Sequence, residues 1–297
     1  MTQAKVELAR RIAERLGEIE GVVAVALGGS WARGEAHPGS DVDLGIYYRN
    51  EHRPSIEELH RLAQGLGYRN PREPVTDFGG WGPWINGGAW LQVEGKPVDW
   101  LYRELGQVSR VIDECRVGRF AVHYQPGHPH GFHTHIYMGE VHYCRPLYDP
   151  DGELAALRAQ TAQYPRPLKL VLIEKYLWEA HFALETSRKS AGRGDVFYVS
   201  GCAFRCVACL VQVLFALNER YFVNEKRSVK AVSGFPSRPS DFEEIVEDVL
   251  GEIGDGPSRL KESVERLWVL VDEVRTLCTE ACSLERWSGR EGRFSEE

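Results

Sequence analysis

Two aspartates separated by a single residue, Asp41 and Asp43, have the spacing in this sequence that most directly indicates chemistry. They stand at the start of an apolar run, and in a β-strand residues i and i+2 point to the same face of the sheet. Two neighbouring carboxylates repel each other by about 4 kcal/mol at an effective dielectric of about 20, so the pair favours a bound cation. Mg²⁺ suits such oxygen ligands, because proteins hold it through a few carboxylates together with substrate phosphates and water.

A small turn precedes this pair, and its backbone N–H groups and hydroxyl are suited to phosphates. Gly29-Ser30 follows an apolar run at 22–27, Arg33 comes next, and the aspartates open a second apolar run at 42–48. The alternative is that Ser-Asp-x-Asp is a polar turn that enters a strand, since Ser and Asp are common in turns. The complete order of strand, Gly-Ser turn, arginine and aspartate-bearing strand favours a site for a nucleoside triphosphate (NTP) and divalent metal ions.

This order resembles the signature of the polymerase-β-like nucleotidyltransferase superfamily. The resemblance is carried by Gly29-Ser30-Trp31-Ala32-Arg33-Gly34 and Ser40-Asp41-Val42-Asp43. The superfamily includes small-molecule nucleotidyltransferases that modify aminoglycosides and minimal nucleotidyltransferases that are paired with toxins. The resemblance implies a mixed sheet with flanking helices, two Mg²⁺ ions and an NTP, with ATP as the expected donor. It specifies the fold and the NTP–metal chemistry but says little about the acceptor.

The superfamily pattern also calls for a third carboxylate on a neighbouring strand, and Asp99 is the candidate. The runs 89–93 and 96–102 predict a β-hairpin with Glu94-Gly95 near its turn. Asp99 lies in the middle of the second run, where an uncompensated charge is costly. The alternatives are that Asp99 faces solvent or pairs with Lys96. In the metal-binding interpretation, Asp99 holds the ions together with Asp41 and Asp43.

Four residues are expected to bind the nucleotide. Gly29 and Ser30 would hold the β- and γ-phosphates, and Arg33 would be a charge clamp unless it is a surface arginine. Lys226 is assigned to the phosphates because basic residues of the helical domain approach them in related two-domain enzymes; the alternative is a solvated helix end. Some relatives use a carboxylate of the helical domain as general base, and the sequence does not choose among Glu174, Glu179 and Glu185.

The pattern of elements changes at a turn cluster, Tyr-Asp-Pro-Asp-Gly, over residues 148–152. Strands and helices alternate before it, and every element beyond it has helical spacing. The predicted fold class is therefore α+β. A nucleotidyltransferase catalytic domain is expected at 1–117, a connector at 118–152, an all-α helical-bundle domain at 153–287 and a polar tail at 288–297. Expected helices cover 3–19, 55–66, 107–117, 153–162, 166–190, 196–222, 240–253 and 257–284.

The composition predicts a cytoplasmic enzyme. The chain has 297 residues, 43% of them hydrophobic, and its formal charge of −7 argues against a broad nucleic-acid-binding surface. Seven cysteines without a disulfide-like spacing, and the lack of a signal peptide, predict reduced thiols. The apolar segment 196–217 contains Arg205 and Gln212, so a buried helix is expected rather than a membrane span. The oligomeric state is left open, a homodimer included.

Three further clusters have structural as well as functional interpretations. Trp81 and Trp84, in a glycine-rich loop, would stack on a ligand or pack on the sheet. The histidines between His128 and His135 are interpreted as surface or acceptor-pocket residues rather than a zinc site, because no fourth ligand is evident. A cysteine stripe at i, i+4 and i+7 is interpreted as part of a helical core; it comprises Cys202, Cys206 and Cys209.

The absence of other motifs narrows the function. The sequence contains neither a P-loop nor a G-x-S-x-G elbow, which disfavours P-loop kinases and that class of hydrolases. A hydroxyl group of a small molecule is the favoured acceptor. The alternatives are a nucleotidyltransferase that acts on a protein or RNA, and a non-catalytic nucleotide-binding regulator. The intact carboxylates argue against the regulator.

Overall fold

The computed structural model describes residues 2–70, 72 and 74–281, and the chain divides into two compact units after Gln163. The first unit combines a mixed sheet with helices and the second is helical, so the predicted α+β class is confirmed. The sequence patterns predict that the catalytic domain ends at 117 and that a connector runs to 152. In the structure, the elements between 118 and 152 belong to the first unit. The predicted polar tail at 288–297 lies outside the described residues.

The first unit is built on a five-stranded sheet with the strand order β3-β4-β2-β1-β7, and β5 and β6 form a separate two-stranded ribbon. Strands β2 and β4 run parallel, whereas the other neighbouring pairs of the sheet are antiparallel. In chain order the elements are α1 (Thr2–Gly17), β1 (Val22–Leu27), α2 (Gly29–Arg33), β2 (Val42–Tyr48), α3 (Ile56–Leu66), β3 (Gly88–Val93), β4 (Lys96–Glu104), α4 (Leu105–Arg116), β5 (Val122–His123), β6 (Phe132–His133), α5 (Ile136–Tyr143), β7 (Arg145–Tyr148) and α6 (Glu153–Gln160).

Local signals explain several of these boundaries. Helix α3 begins after Ser55, whose side chain accepts a hydrogen bond from the backbone N–H of Glu58 at 3.3 Å. The β3–β4 hairpin turns at Glu94 and Gly95, which have φ values of 50° and 71°. Two successive positive φ angles match the right-handed twist of the flanking strands. The predicted hairpin and the predicted start of α3 are therefore confirmed.

Alternation along β4 separates a core face from a polar face. Val98, Trp100 and Tyr102 are completely buried in the core of the first unit. Asp99 and Arg103 point to the opposite face, because side chains alternate along a strand. The strand therefore carries two charged residues on one side and a continuous apolar surface on the other.

The predicted connector contains sheet and helix. Strand β7 pairs with β1 in an antiparallel register, and α5 precedes it directly. Helix α6, which the sequence pattern groups with the helical domain, contacts α4 and α5 in the first unit. Strands of two to four residues, such as β5, β6 and β7, are too short to show periodicity in a sequence.

The second unit consists of α-helices. They are α7 (Arg166–Ala191), α8 (Val196–Leu217), α9 (Ser228–Val232), α10 (Phe242–Gly251) and α11 (Pro257–Ala281). The most apolar window of α8 has a mean hydropathy of 1.9, and 61% of that window is buried inside the protein. A single helix of this kind is weak support for a membrane span, and its burial is typical of the core helix of a soluble protein.

Candidate active site

The strand register brings the three predicted carboxylates together at one place on the sheet. In the parallel β2–β4 pair, Asp43 lies directly opposite Asp99. Asp41 precedes β2 by one residue, and its carboxylate converges with that of Asp99 on a single atom, Nη2 of Arg69. The distances are 3.3 Å from this nitrogen to Oδ2 of Asp41 and 2.8 Å to Oδ1 of Asp99. The Asp41–Asp43 pair and Asp99, which is more than fifty residues later in the sequence, are therefore grouped.

The Gly-Ser turn lies against this group. The backbone N–H of Gly28 donates to the carbonyl oxygen of Asp43 at 2.8 Å. Gly29 has a φ of +58°, and a Cβ at this position would stand 1.8 Å from Oδ2 of Asp43. No side chain larger than hydrogen fits without moving the carboxylate. Ser30 follows in the first turn of α2, so the predicted phosphate-binding residues Gly29 and Ser30 lie beside the predicted metal ligands.

Arg69 is a site residue that the sequence patterns did not indicate. Its backbone N–H donates to the carbonyl oxygen of Trp90 at 3.0 Å, and Tyr68 forms an isolated bridge with Leu91. The segment after α3 thus runs along β3, next to the strand that carries Asp99. The sequence alternative of an Asp99–Lys96 pair is not observed, because Lys96 contacts Glu94 at 3.4 Å.

The carboxylate group fits hard divalent cations. All of its acidic side chains offer oxygen ligands, the kind that Mg²⁺ prefers. The guanidinium of Arg69 already occupies the position of a cation between Asp41 and Asp99. The side chains of Arg69, Asp41 and Asp99 are 38%, 41% and 18% exposed, so water and ions reach them. Replacement of one exposed positive charge by another is therefore chemically reasonable at this place.

The two other predicted phosphate ligands are differently placed. Nε of Arg33 donates to Oε2 of Glu35 at 2.8 Å, at the end of α2. Lys226 is exposed in the second unit, in the segment between α8 and α9. The description of Lys226 as part of a helix end is wrong, because α8 already ends at Leu217. The phosphate-binding roles of Arg33 and Lys226 stay predictions.

The candidate general bases all lie on α7 of the second unit. Glu179 forms a close ion pair with Arg205 of α8. Glu185 contacts Arg188 at 3.6 Å, one turn further along the same helix. Glu174 is half-buried. The choice among these three carboxylates stays open.

The tryptophans of the glycine-rich loop pack within the first unit. Trp81 stacks on Trp90 of β3, with ring centroids 4.5 Å apart and an interplanar angle of 21°. Trp90 is the cross-strand partner of Asp99, so this stack lies on the carboxylate side of the hairpin. Trp84 stacks on His123 at 4.5 Å and is close to Phe132. Both tryptophans therefore pack against residues of strands rather than lying in an open loop.

Three histidines of the cluster are buried, so the interpretation as surface residues is wrong for them. His130, His133 and His135 are at most 8% exposed. The rings of His130 and His133 lie 4.9 Å apart, and His135 contacts Phe120 edge to face. His133 lies in the short β5–β6 ribbon, where it pairs with Val122, and no sequence periodicity revealed this ribbon.

The cysteine stripe on α8 faces the interior of the protein. Cys206 and Cys209 are completely buried, and Cys202 is half-buried. Burial raises the pKa of Cys206 and of Cys209 well above the usual value for a thiol. A protonated thiol is a poor metal ligand and a poor nucleophile, which agrees with the predicted structural role.

Comparison with known proteins connects this site to a family. Residues 9–74 match the family model of a nucleotidyltransferase domain, and residues 136–226 match that of a domain of unknown function, DUF4037. The first match contains Gly29, Ser30, Asp41 and Asp43 and confirms the resemblance carried by the motif. No curated protein sequence matches the chain.

A solved structure of a nucleotidyltransferase-like protein from Exiguobacterium sibiricum is similar to the chain. The two are 12% identical, with a TM-score of 0.45. The alignment covers 93% of this chain and 78% of the other.

Proposed function

We propose that this nucleotidyltransferase, whose first unit carries a domain of the polymerase-β-like superfamily, transfers AMP from ATP to a hydroxyl group of a small molecule and releases pyrophosphate. The observation that supports the proposal is the convergence of Asp41, Asp43 and Asp99 beside the Gly29-Ser30 turn. Three oxygen-donor side chains next to a turn with available N–H groups form the donor half of such a reaction.

Asp41, Asp43 and Asp99 would hold two Mg²⁺ ions. When bound, the ions would neutralise the phosphate charge and favour loss of the proton from the acceptor hydroxyl. Gly29 leaves room for the carboxylate of Asp43, because a Cβ at this position would stand 1.8 Å from its Oδ2. The turn and the carboxylate are therefore close enough to act on the same ligand.

The chain's own groups then orient the nucleotide. The backbone around Gly29 and the hydroxyl of Ser30 would bind the β- and γ-phosphates, and Arg33 and Lys226 would add positive charge. The acceptor oxygen attacks the α-phosphorus, the bond from that phosphorus to the bridging oxygen breaks, and pyrophosphate leaves. The acceptor proton would pass to a carboxylate, and the sequence candidates for this role remain Glu174, Glu179 and Glu185.

Several properties of the chain support a small acceptor in the cytoplasm. The formal charge of −7 disfavours a polyanionic acceptor such as RNA. The Trp81–Trp90 stack provides an apolar surface on the carboxylate side of the hairpin, which suits the ring of a small molecule. The cysteines within the described residues form no disulfide, which agrees with a reducing compartment; they are Cys115, Cys144, Cys202, Cys206, Cys209 and Cys278.

Transfer of label from ATP tests the proposal. The protein is incubated with Mg²⁺ and ATP labelled at the α-phosphate, together with polyhydroxylated small molecules such as aminoglycosides, or with proteins or RNA. We expect label in a small molecule. Asp43→Asn should lower the rate by more than about 10²-fold, because the loss of one preorganised charge-stabilising group at a transition state has that effect.

Asp113→Asn is the matched control. Asp113 lies on α4 of the same unit, is 65% exposed and contacts Arg116, so its replacement removes the same charge away from the site. Label in a protein or RNA would show that the acceptor is a macromolecule and not a small molecule. Full transfer by Asp43→Asn, or no transfer to any acceptor, would contradict the assignment of the site.

A further inference from the structure

We infer that Arg69 is an internal counter-cation, which holds Asp41 and Asp99 before metal binds and which a divalent ion must displace to load the site. The inference rests on the proposed metal-dependent function and adds a positioning residue that none of the motifs contains. It concerns the free protein, before nucleotide or acceptor is present.

The geometry places one positive charge between two carboxylates. Nη2 of Arg69 contacts Oδ1 of Asp99 at 2.8 Å and Oδ2 of Asp41 at 3.3 Å. A guanidinium is always protonated in proteins, so this charge is permanent. Asp43 lies opposite Asp99 in the sheet and adds a further negative charge to the group. Arg69 therefore offsets part of the repulsion among the three acidic residues.

The same contacts are exposed enough to be exchanged. The side chain of Arg69 is 38% exposed and that of Asp41 is 41% exposed. Ion pairs of this exposure contribute little to stability, because water competes for both charges. A divalent ion brings twice the charge and binds several carboxylate oxygens at once, so it can replace the guanidinium without unfolding the surrounding strands.

The backbone keeps the displaced side chain near the site. The N–H of Arg69 donates to the carbonyl oxygen of Trp90, and the N–H of Gln92 donates to the carbonyl oxygen of Gly67 at 2.9 Å. These bonds fix the segment 67–69 along β3. Arg69 is consequently available to return to Asp41 and Asp99 each time the metal leaves, which makes the contact a reversible competitor of metal binding.

Binding of Mn²⁺ alone, without nucleotide, is the direct test. Titration followed by electron paramagnetic resonance gives the dissociation constant for the wild type and for Arg69→Gln. We expect the variant to bind Mn²⁺ roughly three- to tenfold more tightly, because the ion no longer has to break two exposed charge contacts. In the absence of metal, Arg69→Gln should also melt at a lower temperature and gain more from added Mn²⁺.

Arg72→Gln is the matched control. Arg72 is exposed three residues further on, and its backbone N–H donates to Oδ1 of Asn70. At a salt concentration of about 0.15 M, charges more than about 8 Å apart are largely screened, so a general charge effect is suppressed. This control should bind Mn²⁺ like the wild type. The dissociation constant of Arg69→Lys, which keeps the charge, should lie between those of the wild type and Arg69→Gln. Arg69→Lys is the test variant if Arg69→Gln does not fold.

The outcomes separate this inference from the proposed function. If wild type and Arg69→Gln bind Mn²⁺ equally, or if Arg72→Gln gives the same tightening, the inference is wrong and the metal-dependent transfer is unaffected. If none of the proteins binds Mn²⁺, both the inference and the metal-dependent function are overturned. Tighter binding by Arg69→Gln alone supports the competition.

Discussion

Strand β4 carries two arginine–carboxylate contacts on the same face, four residues apart, and the two differ in burial. Near its start, Asp99 meets Arg69, and the contact is open to solvent. Near its end, Arg103 is only 4% exposed and makes two bonds of 2.7 Å to the carboxylate of Glu140 on α5. Nη1 of Arg103 also donates to the carbonyl oxygen of Tyr102 at 2.9 Å.

The difference shows how one strand combines a permanent and an exchangeable contact. A buried guanidinium without its carboxylate is strongly unfavourable, so the Arg103–Glu140 pair must persist as long as the unit is folded. An exposed pair has water as an alternative partner, so the Asp99–Arg69 contact can be replaced by a ligand. β4 is thus anchored to α5 at one end, while its other end is free to respond to metal.

Glu140→Gln tests the permanent contact and should have the largest effect on stability. It leaves the buried Arg103 guanidinium without a negative partner, which should reduce the free energy of unfolding by about 3 kcal/mol or more. Urea unfolding followed by circular dichroism measures the change.

The double variant Arg103→Met with Glu140→Leu is the control for this prediction. It replaces the charged pair by apolar side chains, and such replacements of buried ion pairs are often close to neutral. The double variant should therefore be more stable than Glu140→Gln. If Glu140→Gln unfolds at the same urea concentration as the wild type, the two contacts on β4 do not differ as described.

Gly29→Ala disturbs the exchangeable end without changing any charge. The new Cβ would meet Oδ2 of Asp43 at 1.8 Å, and the φ of +58° is unfavourable for alanine. Displacement of a catalytic carboxylate by about 1 Å can lower a rate by about 10²-fold, and we expect a loss of that size in nucleotidyl transfer.

Gly34→Ala separates the clash from the backbone strain. Gly34 ends α2 with a φ of +78°, but nothing lies within 4 Å of a Cβ placed there. Its replacement should cost about 1 kcal/mol of stability and leave transfer nearly unchanged. Equal losses of transfer in the two variants would show that strain in α2, rather than contact with Asp43, explains the effect.

Alkaline pH should act on the first unit through a buried thiol after α5. Cys144 follows α5, and burial, with a smaller contribution from Glu140, raises the pKa of its thiol to about 12 from the usual 9.0. A raised pKa in the folded state stabilises the protein fully below about pH 9, and this contribution is lost as the pH rises towards about 12. At pH 10 the loss from this one thiol should be about 1.4 kcal/mol.

The difference in urea midpoint between pH 8 and pH 10 measures this dependence. Cys144→Ala removes the titrating thiol, so its midpoint should fall less between the two pH values than that of the wild type. Equal falls in the two proteins would mean that Cys144 does not titrate with a raised pKa.

The strands and turns that carry Gly29, Asp43 and Asp99 were predictable because their signals are local in sequence. Strands 22–27 and 42–48 have the predicted bounds, and the turn at Glu94-Gly95 places Asp99 on β4. Each of these features depends on alternation of side chains or on the backbone angles of a few residues. The parallel register of β2 and β4 then places Asp43 opposite Asp99.

Residues whose positions depend on long-range pairing could not be predicted. Arg69 follows α3 without a motif, and it reaches Asp99 because Tyr68 bridges Leu91, more than twenty residues later in the chain. The burial of His133 likewise depends on pairing with Val122 in a ribbon of two-residue strands. Neither contact leaves a periodic pattern, so neither could be read from one sequence.

The smallest effect on the stability of the metal-free protein is expected for Asp99→Asn, which breaks the exchangeable contact. The variant loses the 2.8 Å contact with Arg69 but also loses one of three neighbouring negative charges, so the two effects partly cancel. In the absence of metal, the free energy of unfolding should stay within about 1 kcal/mol of the wild type, although metal-dependent transfer should be lost. Urea unfolding beside Glu140→Gln gives the comparison directly. A destabilisation by Asp99→Asn as large as that by Glu140→Gln would mean that both contacts on β4 are structural, and Arg69 could then not be a cation that metal replaces.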